Sequence, residues 1–391
     1  MSLNDTQINA LTQQGIAALQ SGQGAQARTR FEEIVAARKE HVGAWLGLAY
    51  ACNQLNDPDA MMTALERCLA LEPANLHALI LKADYLHISG QKRQALGFYQ
   101  GALTAAGRLG GTIPADLQAG LQRAQTAVQA AAADYGSYMR DALKDKGIDL
   151  DHTSRRFALA FDLAIGKSQL YLQQPTRFYY PELPQIQFYD PADFDWAAEV
   201  EAATDDIREE LRTVLREDSA FPPYLADVPG IPHLNDQNLV DNPAWGAFFF
   251  WKNGPFIEEN ASRCPKTVAA LESVPLPRIE HHTPSALFSL LKAGTRIPPH
   301  NGMLNTRLIC HLPLIVPKDC GALRCGSEER PWVEGKLMIF DDSIEHEAWN
   351  NSGKTRVVLL FDIWRPEIPL EDRALITAML EAAEQYKRLD G

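Results

Sequence analysis

The sequence predicts a multidomain α and β protein: an N-terminal α-helical repeat array, then a double-stranded β-helix (jelly-roll) domain with flanking helices. Three observations carry this. Small, turn-forming and large apolar residues recur every 34 residues up to about residue 109. From Pro175 onward prolines and aromatics become dense and apolar residues begin to alternate. In this second part polar side chains share strand faces with apolar neighbours, which suits a lined interior better than a surface.

Residues 1–110 form the array. Gly15, Ala49 and Ala83 hold a small position, where one helix lets its partner approach. Gly22, Asn56 and Gly90 hold the turn; Phe31, Leu65 and Tyr99 hold a large apolar position; Ile34, Cys68 and Ala102 hold a smaller one. Pro73 falls where a helix should stop. The pattern resembles tetratricopeptide repeats, although Trp45 has no aromatic counterpart at Leu11 or Leu79. Such arrays present concave faces to peptide segments; a packing or dimerisation scaffold is the other reading. Residues 111–175 read as a helical bridge, with Leu117–Ala133, Tyr135–Lys146 and Phe157–Tyr171 as separate helices.

Residues 176–370 carry the β pattern and 371–391 a C-terminal helix. The strand candidates are Ser285–Ala293, Arg307–Val316, Lys336–Phe340 and Arg356–Trp364. Alternation places Arg307, Ile309, His311 and Pro313 on one face of the second, with Leu308, Cys310, Leu312 and Leu314 opposite. Arg356 shares a face with Val358, Leu360, Asp362 and Trp364, and Ser289 shares one with Ser285, Leu287 and Leu291. Turn signals at Gly294, Gly321, Gly335 and Gly353 separate the strands.

Bulk properties exclude several function classes. At 391 residues the chain has room for two or three domains, and 46% hydrophobic with 22% charged residues is ordinary for a globular protein. A net charge of −13 argues against broad affinity for nucleic acid or an anionic membrane surface. Met1–Ala10 is polar without an apolar signal core, and no stretch reaches the length of a membrane span, so a cytoplasmic location is expected. The six cysteines (Cys52, Cys68, Cys264, Cys310, Cys320 and Cys325) then read as free thiols. Cys320 and Cys325 lack the second ligand pair a zinc site requires.

The chemistry lies in His300, within Pro298-Pro299-His300-Asn301-Gly302, and His346, ten residues before Arg356. Neutral imidazole binds iron, zinc or copper. An arginine inside a β core is costly without an anion. Arg356 and Ser289 could hold one carboxylate of a keto diacid and His311 its other end; 2-oxoglutarate is such a molecule. Taken singly, each histidine also reads as a hydrogen-bonded core residue, and Arg356 as a strand-end ion pair. A zinc enzyme of the cupin type is a third reading. Gly302 stands where most two-histidine iron sites carry a carboxylate.

The runs Glu258-Glu259-Asn260, Pro298–Gly302, Phe340-Asp341-Asp342-Ser343-Ile344-Glu345-His346-Glu347 and Asp362–Glu367, with the strand-like start Phe178-Tyr179-Tyr180-Pro181, resemble the aspartyl/asparaginyl β-hydroxylase family. The resemblance covers about Pro175 to Glu367. It implies a double-stranded β-helix that uses Fe(II), 2-oxoglutarate and O2. It implies His300 and His346 as metal ligands, with Gly302 matching the family's missing carboxylate. It implies Arg356 and Ser289 at the distal carboxylate of the co-substrate, His311 at the metal-proximal end, and Asp342 orienting iron-bound water. Family positions that carry basic residues near an acidic substrate align here with Leu287 and Ile309, leaving Arg307 alone; an altered substrate preference is expected. The activity so implied is a dioxygenase that hydroxylates a peptide or protein side chain, docked through the repeats, with succinate and CO2 as co-products. A non-catalytic 2-oxoglutarate sensor or a repeat-type protein-binding module is the alternative.

Overall fold

The computed structural model describes residues 3–109, 113–217, 220–226 and 239–389. They fall into two compact units, Met1–Lys167 and Ser168–Gly391.

In the first unit six helices alternate with tight turns: α1 (Asp5–Gln20), α2 (Gly24–Ala37), α3 (Val42–Gln54), α4 (Pro58–Leu71), α5 (Leu76–Ile88) and α6 (Lys92–Arg108). The turn positions of the repeat, Gly22, Asn56 and Gly90, all take positive φ (71°, 53° and 82°), the left-handed conformation that glycine and asparagine tolerate. Side chains of Asn4, Asp57 and Asn75 cap α1, α4 and α5. Phe31 is buried against Gly15 so closely that a Cβ there would lie 2.6 Å from the ring. Burying such a ring contributes about 1.5–3 kcal/mol. Leu65, Tyr99, Ile34, Cys68 and Ala102 are buried at their repeat positions too.

The bridge differs from the expectation. One helix, α7 (Ala115–Lys144), replaces the two read from the sequence. The alanine- and glutamine-rich run contains no proline, and Gly136 within the helix is a close-approach point: a Cβ there would meet Ile165 Cδ1 at 3.0 Å. The third helix, α8 (Arg155–Ala164), is capped by Ser154 and stops well before Tyr171, ahead of Gly166 at φ 73°.

The second unit holds two antiparallel sheets. Its strands are β1 (Phe188–Tyr189), β2 (Trp245–Trp251), β3 (Ala286–Leu291), β4 (Thr295–His300), β5 (Arg307–Ile315), β6 (Ala322–Cys325), β7 (Glu328–Pro331), β8 (Met338–Phe340), β9 (His346–Asn350) and β10 (Arg356–Trp364). The larger sheet runs β1-β8-β5-β10-β3-β2 and the smaller β4-β9-β6-β7. The short helices α9 (Ala197–Ala202), α10 (Thr204–Val214), α11 (Glu258–Ala261) and α12 (Pro265–Ala270) precede β3, and α13 (Leu370–Leu389) ends the unit.

Alternation sorts the faces of the larger sheet as expected. Leu308, Cys310, Leu312, Leu314, Val357, Leu359, Phe361 and Ile363 pack in one core with Val200, Ile207, Leu211 and Val214 of the helices. Ile309, Met338, Phe340 and Val358 pack in another with Leu323, Cys325 and Ala348 of the smaller sheet. The latter is the interior of the double-stranded β-helix. Phe178–Pro181 is not a strand: it makes one isolated bridge, Phe178 to Leu304, and Asn305 takes over the pairing by accepting from Tyr180 N at 2.7 Å and donating to Tyr180 O at 2.8 Å. Pro181, lacking an N–H, could not extend a ladder. All six cysteines are free and buried. Among the described residues no helix is long and apolar enough to cross a membrane.

Candidate active site

The interior contains a cavity of about 500 Å³. Exposed Thr176, Asn253 and Pro299 stand on its rim, and buried Ser289, His311 and Arg356 on its wall.

His300 and His346 come from neighbouring strands of the smaller sheet and are register partners. Proline suits β4 because β4 is an edge strand. Between Ile297 and His300 the register shifts, so Pro298-Pro299 forms a bulge that brings His300 opposite His346. The ring centroids are 4.1 Å apart at 50°. His300 Nδ1 lies 2.8 Å from the Pro298 carbonyl and His346 Nδ1 3.1 Å from that of Ile344. A carbonyl can only accept, so each Nδ1 carries a proton, and in the neutral ring the lone pair sits on Nε2. Burial, with His300 alongside, holds His346 neutral by pushing its pKa well below the usual histidine value.

A side chain at position 302 is excluded, because its Cβ would overlap the Asp342 carboxylate. Asp342 therefore fills the space that Gly302 leaves. Its Oδ2 accepts from Arg307 at 3.1 Å and its Oδ1 has no hydrogen-bond partner. Burial raises the Asp342 pKa, opposed by the charge of Arg307. Among the described residues no cluster of three or more His, Cys, Asp or Glu side chains is arranged for a metal.

At one end of the cavity stands Arg356, at the start of β10 and 1% exposed. Its Nε and Nη1 have no partner, and no carboxylate pairs with it among the described residues. Its guanidinium lies over the Trp332 ring, 4.5 Å from the centroid, and burial lowers its pKa to about 10. Ser289 on β3 and His311 on β5 line the same cavity. Burial and the Arg356 charge push His311 down to about 3, so it is neutral.

Toward the other end lies Arg307, whose Nη1 bonds Asp362 at 2.9 Å and whose Nη2 bonds Asp342. Burial works against its charge, but the two carboxylates outweigh that and raise its pKa. Asp362, pushed up to about 6 by burial against the pull of Arg307, also accepts from Ser285 N at 3.0 Å. Ile309 lines the cavity beside Arg307. Leu287 is fully buried and does not line it.

His300, His346, Arg356, Ser289, His311, Arg307, Ile309 and Asp342 thus meet around one cavity. The sequence reading missed Trp332, Trp245 and Tyr224, which complete its wall and its supports. Trp332 belongs to no strand, and nothing in its neighbours signals its position. Trp245 sits in an apolar run on β2, where a core role was the only visible signal.

Comparison with known proteins adds an independent finding. Residues 201–366 match the family model described as aspartyl/asparaginyl beta-hydroxylase, and residues 42–85 match a tetratricopeptide repeat. The chain is 38% identical over 189 residues to the ornithine lipid ester-linked acyl 2-hydroxylase of Rhizobium tropici, covering 48% of this chain and 63% of that protein. It is 35% identical over 144 residues to the aspartyl/asparaginyl beta-hydroxylase of Homo sapiens, covering 37% of this chain and 19% of that one. Human aspartate beta-hydroxylase domain-containing protein 2 is 28% identical over 205 residues, 52% of this chain and 53% of that protein. The chain spans less than two thirds of each of these relatives. Residues 201–366 are thus similar to the aspartyl/asparaginyl β-hydroxylase family, and a match to a tetratricopeptide repeat lies ahead of them.

Proposed function

We propose that this protein is an Fe(II)- and 2-oxoglutarate-dependent hydroxylase. The observation that carries the reading is the uncompensated Arg356 guanidinium, buried in the same cavity as two imidazoles whose Nε2 lone pairs are free. A buried cation without a partner costs several kcal/mol, about what an anionic ligand would recover. The donor set fits the proposed groups. His300 and His346 would hold the metal, and Arg356, Ser289 and His311 would hold the keto diacid. Asp342 Oδ1 supplies an unpaired acceptor next to Gly302.

When bound, Fe(II) and 2-oxoglutarate supply the oxidising chemistry, turning dioxygen and the keto acid into succinate, CO2 and a hydroxylated C–H bond. The chain's own work is geometric. The Pro298-Pro299 bulge aims one imidazole, and the carbonyls of Pro298 and Ile344 fix both tautomers. The apolar wall of Ile309, Leu323, Phe340 and Leu360 keeps water from the reacting carbon.

Arg307 is committed to Asp342 and Asp362, so among the described residues a substrate carboxylate would meet no uncommitted cation beside it. We therefore assign the reacting end of the substrate as uncharged: a peptide or protein side chain brought by the repeats. An acyl chain is the second reading, favoured by Leu225, Leu239, Ile309 and Met303 along the cavity and by the acyl hydroxylase among the relatives.

Anaerobic addition of Fe(II) and 2-oxoglutarate should produce a visible metal-to-ligand charge-transfer band. Admitting oxygen with uncharged peptides, acidic peptides and acyl lipids as separate substrates should then yield succinate with one class. No band would sink the reading, a band without succinate from any substrate would favour a sensor, and turnover of acidic peptides alone would overturn the substrate assignment.

A further inference from the structure

Two tryptophans touch the co-substrate end of the cavity through their indole N–H groups. Trp332 Nε1 donates to His311 Nδ1 at 3.3 Å. An indole nitrogen can only donate, so Nδ1 is the acceptor and the proton of this neutral imidazole resides on Nε2. The face of the same indole supports the Arg356 guanidinium, which leaves its N–H groups to point elsewhere. Trp245 Nε1 donates to Ser289 Oγ at 3.3 Å. That contact occupies a lone pair of Oγ and leaves its O–H free to donate. Tyr224 stacks on Trp245 with centroids 4.1 Å apart and planes at 14°, fixing the indole plane.

We propose that Trp332 and Trp245 are positioning residues that set the hydrogen-bond polarity of this pocket: they force His311 and Ser289, alongside Arg356, to present hydrogens rather than lone pairs. Donors at each end select ionised carboxylates, and the Ser289 and Arg356 donors at the distal end reject an isosteric amide there, whose NH2 would face donors. The ligand's identity rests on the functional reading above; the tautomer of His311 is a property of the ligand-free chain.

Trp332→Phe and Trp245→Phe keep the ring and remove the N–H. Nitrogen-15 histidine spectra of the full-length, ligand-free protein, with His311→Gln identifying the resonance, should show the Nε2–H tautomer in wild type. They should show a shift toward Nδ1–H in W332F. Anaerobic titration of the Fe(II)-loaded protein with 2-oxoglutarate should show affinity about tenfold weaker or worse in each variant. Discrimination against 2-oxoglutaramate, the ω-amide, should be about a hundredfold in wild type and should shrink in W245F, whose serine faces the distal carboxylate. An Nδ1–H tautomer in wild type overturns the proposal. So does an unchanged tautomer in W332F, or unchanged 2-oxoglutarate affinity in both variants. If W332F does not fold, the wild-type tautomer and W245F decide. If wild type binds no 2-oxoglutarate, the functional reading falls, while the His311 tautomer still decides the polarity assignment for its own residue.

Discussion

Arg356 and Arg307 lie on adjacent strands of one sheet, both buried, both lining one cavity, and their situations are opposite. Arg307 has two carboxylates and holds its proton more tightly than a free arginine. Arg356 has none among the described residues, and burial loosens its proton. Asp362 stands on the Arg356 face of β10, six residues along, so roughly 20 Å separates the satisfied end from the unsatisfied one. Burial alone therefore does not identify a ligand-binding arginine; its partner inventory does. The Arg307 end is internally paired, and the Arg356 end holds a guanidinium with no anion beside it among the described residues.

Removing each arginine should break this pair in opposite directions. Arg307→Met would strand Asp342 and Asp362 in a low-dielectric interior, at a cost of about 3–5 kcal/mol in urea unfolding of the metal-free protein at neutral pH. A loss under about 1 kcal/mol would mean the carboxylates find other partners and the triad is not a structural unit. Arg356→Met should leave metal-free stability unchanged or raise it, because it deletes a buried charge that lacks a counter-ion. The same substitution should weaken 2-oxoglutarate binding about a hundredfold or more, since a bidentate charge-assisted contact disappears. A variant that unfolds at lower urea yet binds 2-oxoglutarate normally would reverse the assignment of the two ends.

The comparison also marks where sequence reading stops. Gly22, Asn56 and Gly90 were legible because one backbone requirement, positive φ, returns at each repeat and selects the same few residues. The face of Arg356 was legible because strand alternation is strict, whereas His300 and His346 stood out only through the family resemblance of their runs, since singly each reads as a core histidine. The partners of Arg307 were not, since Asp342 lies in a loop and Asp362 on another strand, and nothing local couples them. Nor was the Pro298-Pro299 bulge, which is a matter of register. Trp332 reaches His311 across the interior, a contact with no local signature.

Gly302 offers a steric test between the two ends. Gly302→Ala would place a methyl group into the Asp342 carboxylate and push that side chain against Arg307. The expected cost is about 1–3 kcal/mol of stability. Metal affinity should fall as well, read by Mn(II) titration monitored by electron paramagnetic resonance. A neutral G302A variant would show that Asp342 has room to move and that the glycine is not required by it.

The smallest expected effect separates the ends by the sign of a pH slope. His311, near 3 when folded, stays neutral down to acid pH, whereas in the unfolded chain it binds a proton below about 6.5. As pH falls through that window the unfolded state takes up more protons, so His311 contributes stability that is present above about 6.5 and lost on acidification. His346 acts with the same sign. Asp362 acts oppositely. Its folded carboxyl, near 6, binds a proton before the unfolded one does near 3.9, so it favours the folded state on acidification and that contribution is lost as pH rises through 6. Each group contributes at most about 1.4 kcal/mol per pH unit. Unfolding free energies of the metal-free protein between pH 7 and pH 4 should therefore fall less steeply in His311→Gln and more steeply in Asp362→Asn than in wild type. Parallel slopes in all three proteins would mean that neither end of the cavity holds its titrating group in the state its surroundings dictate.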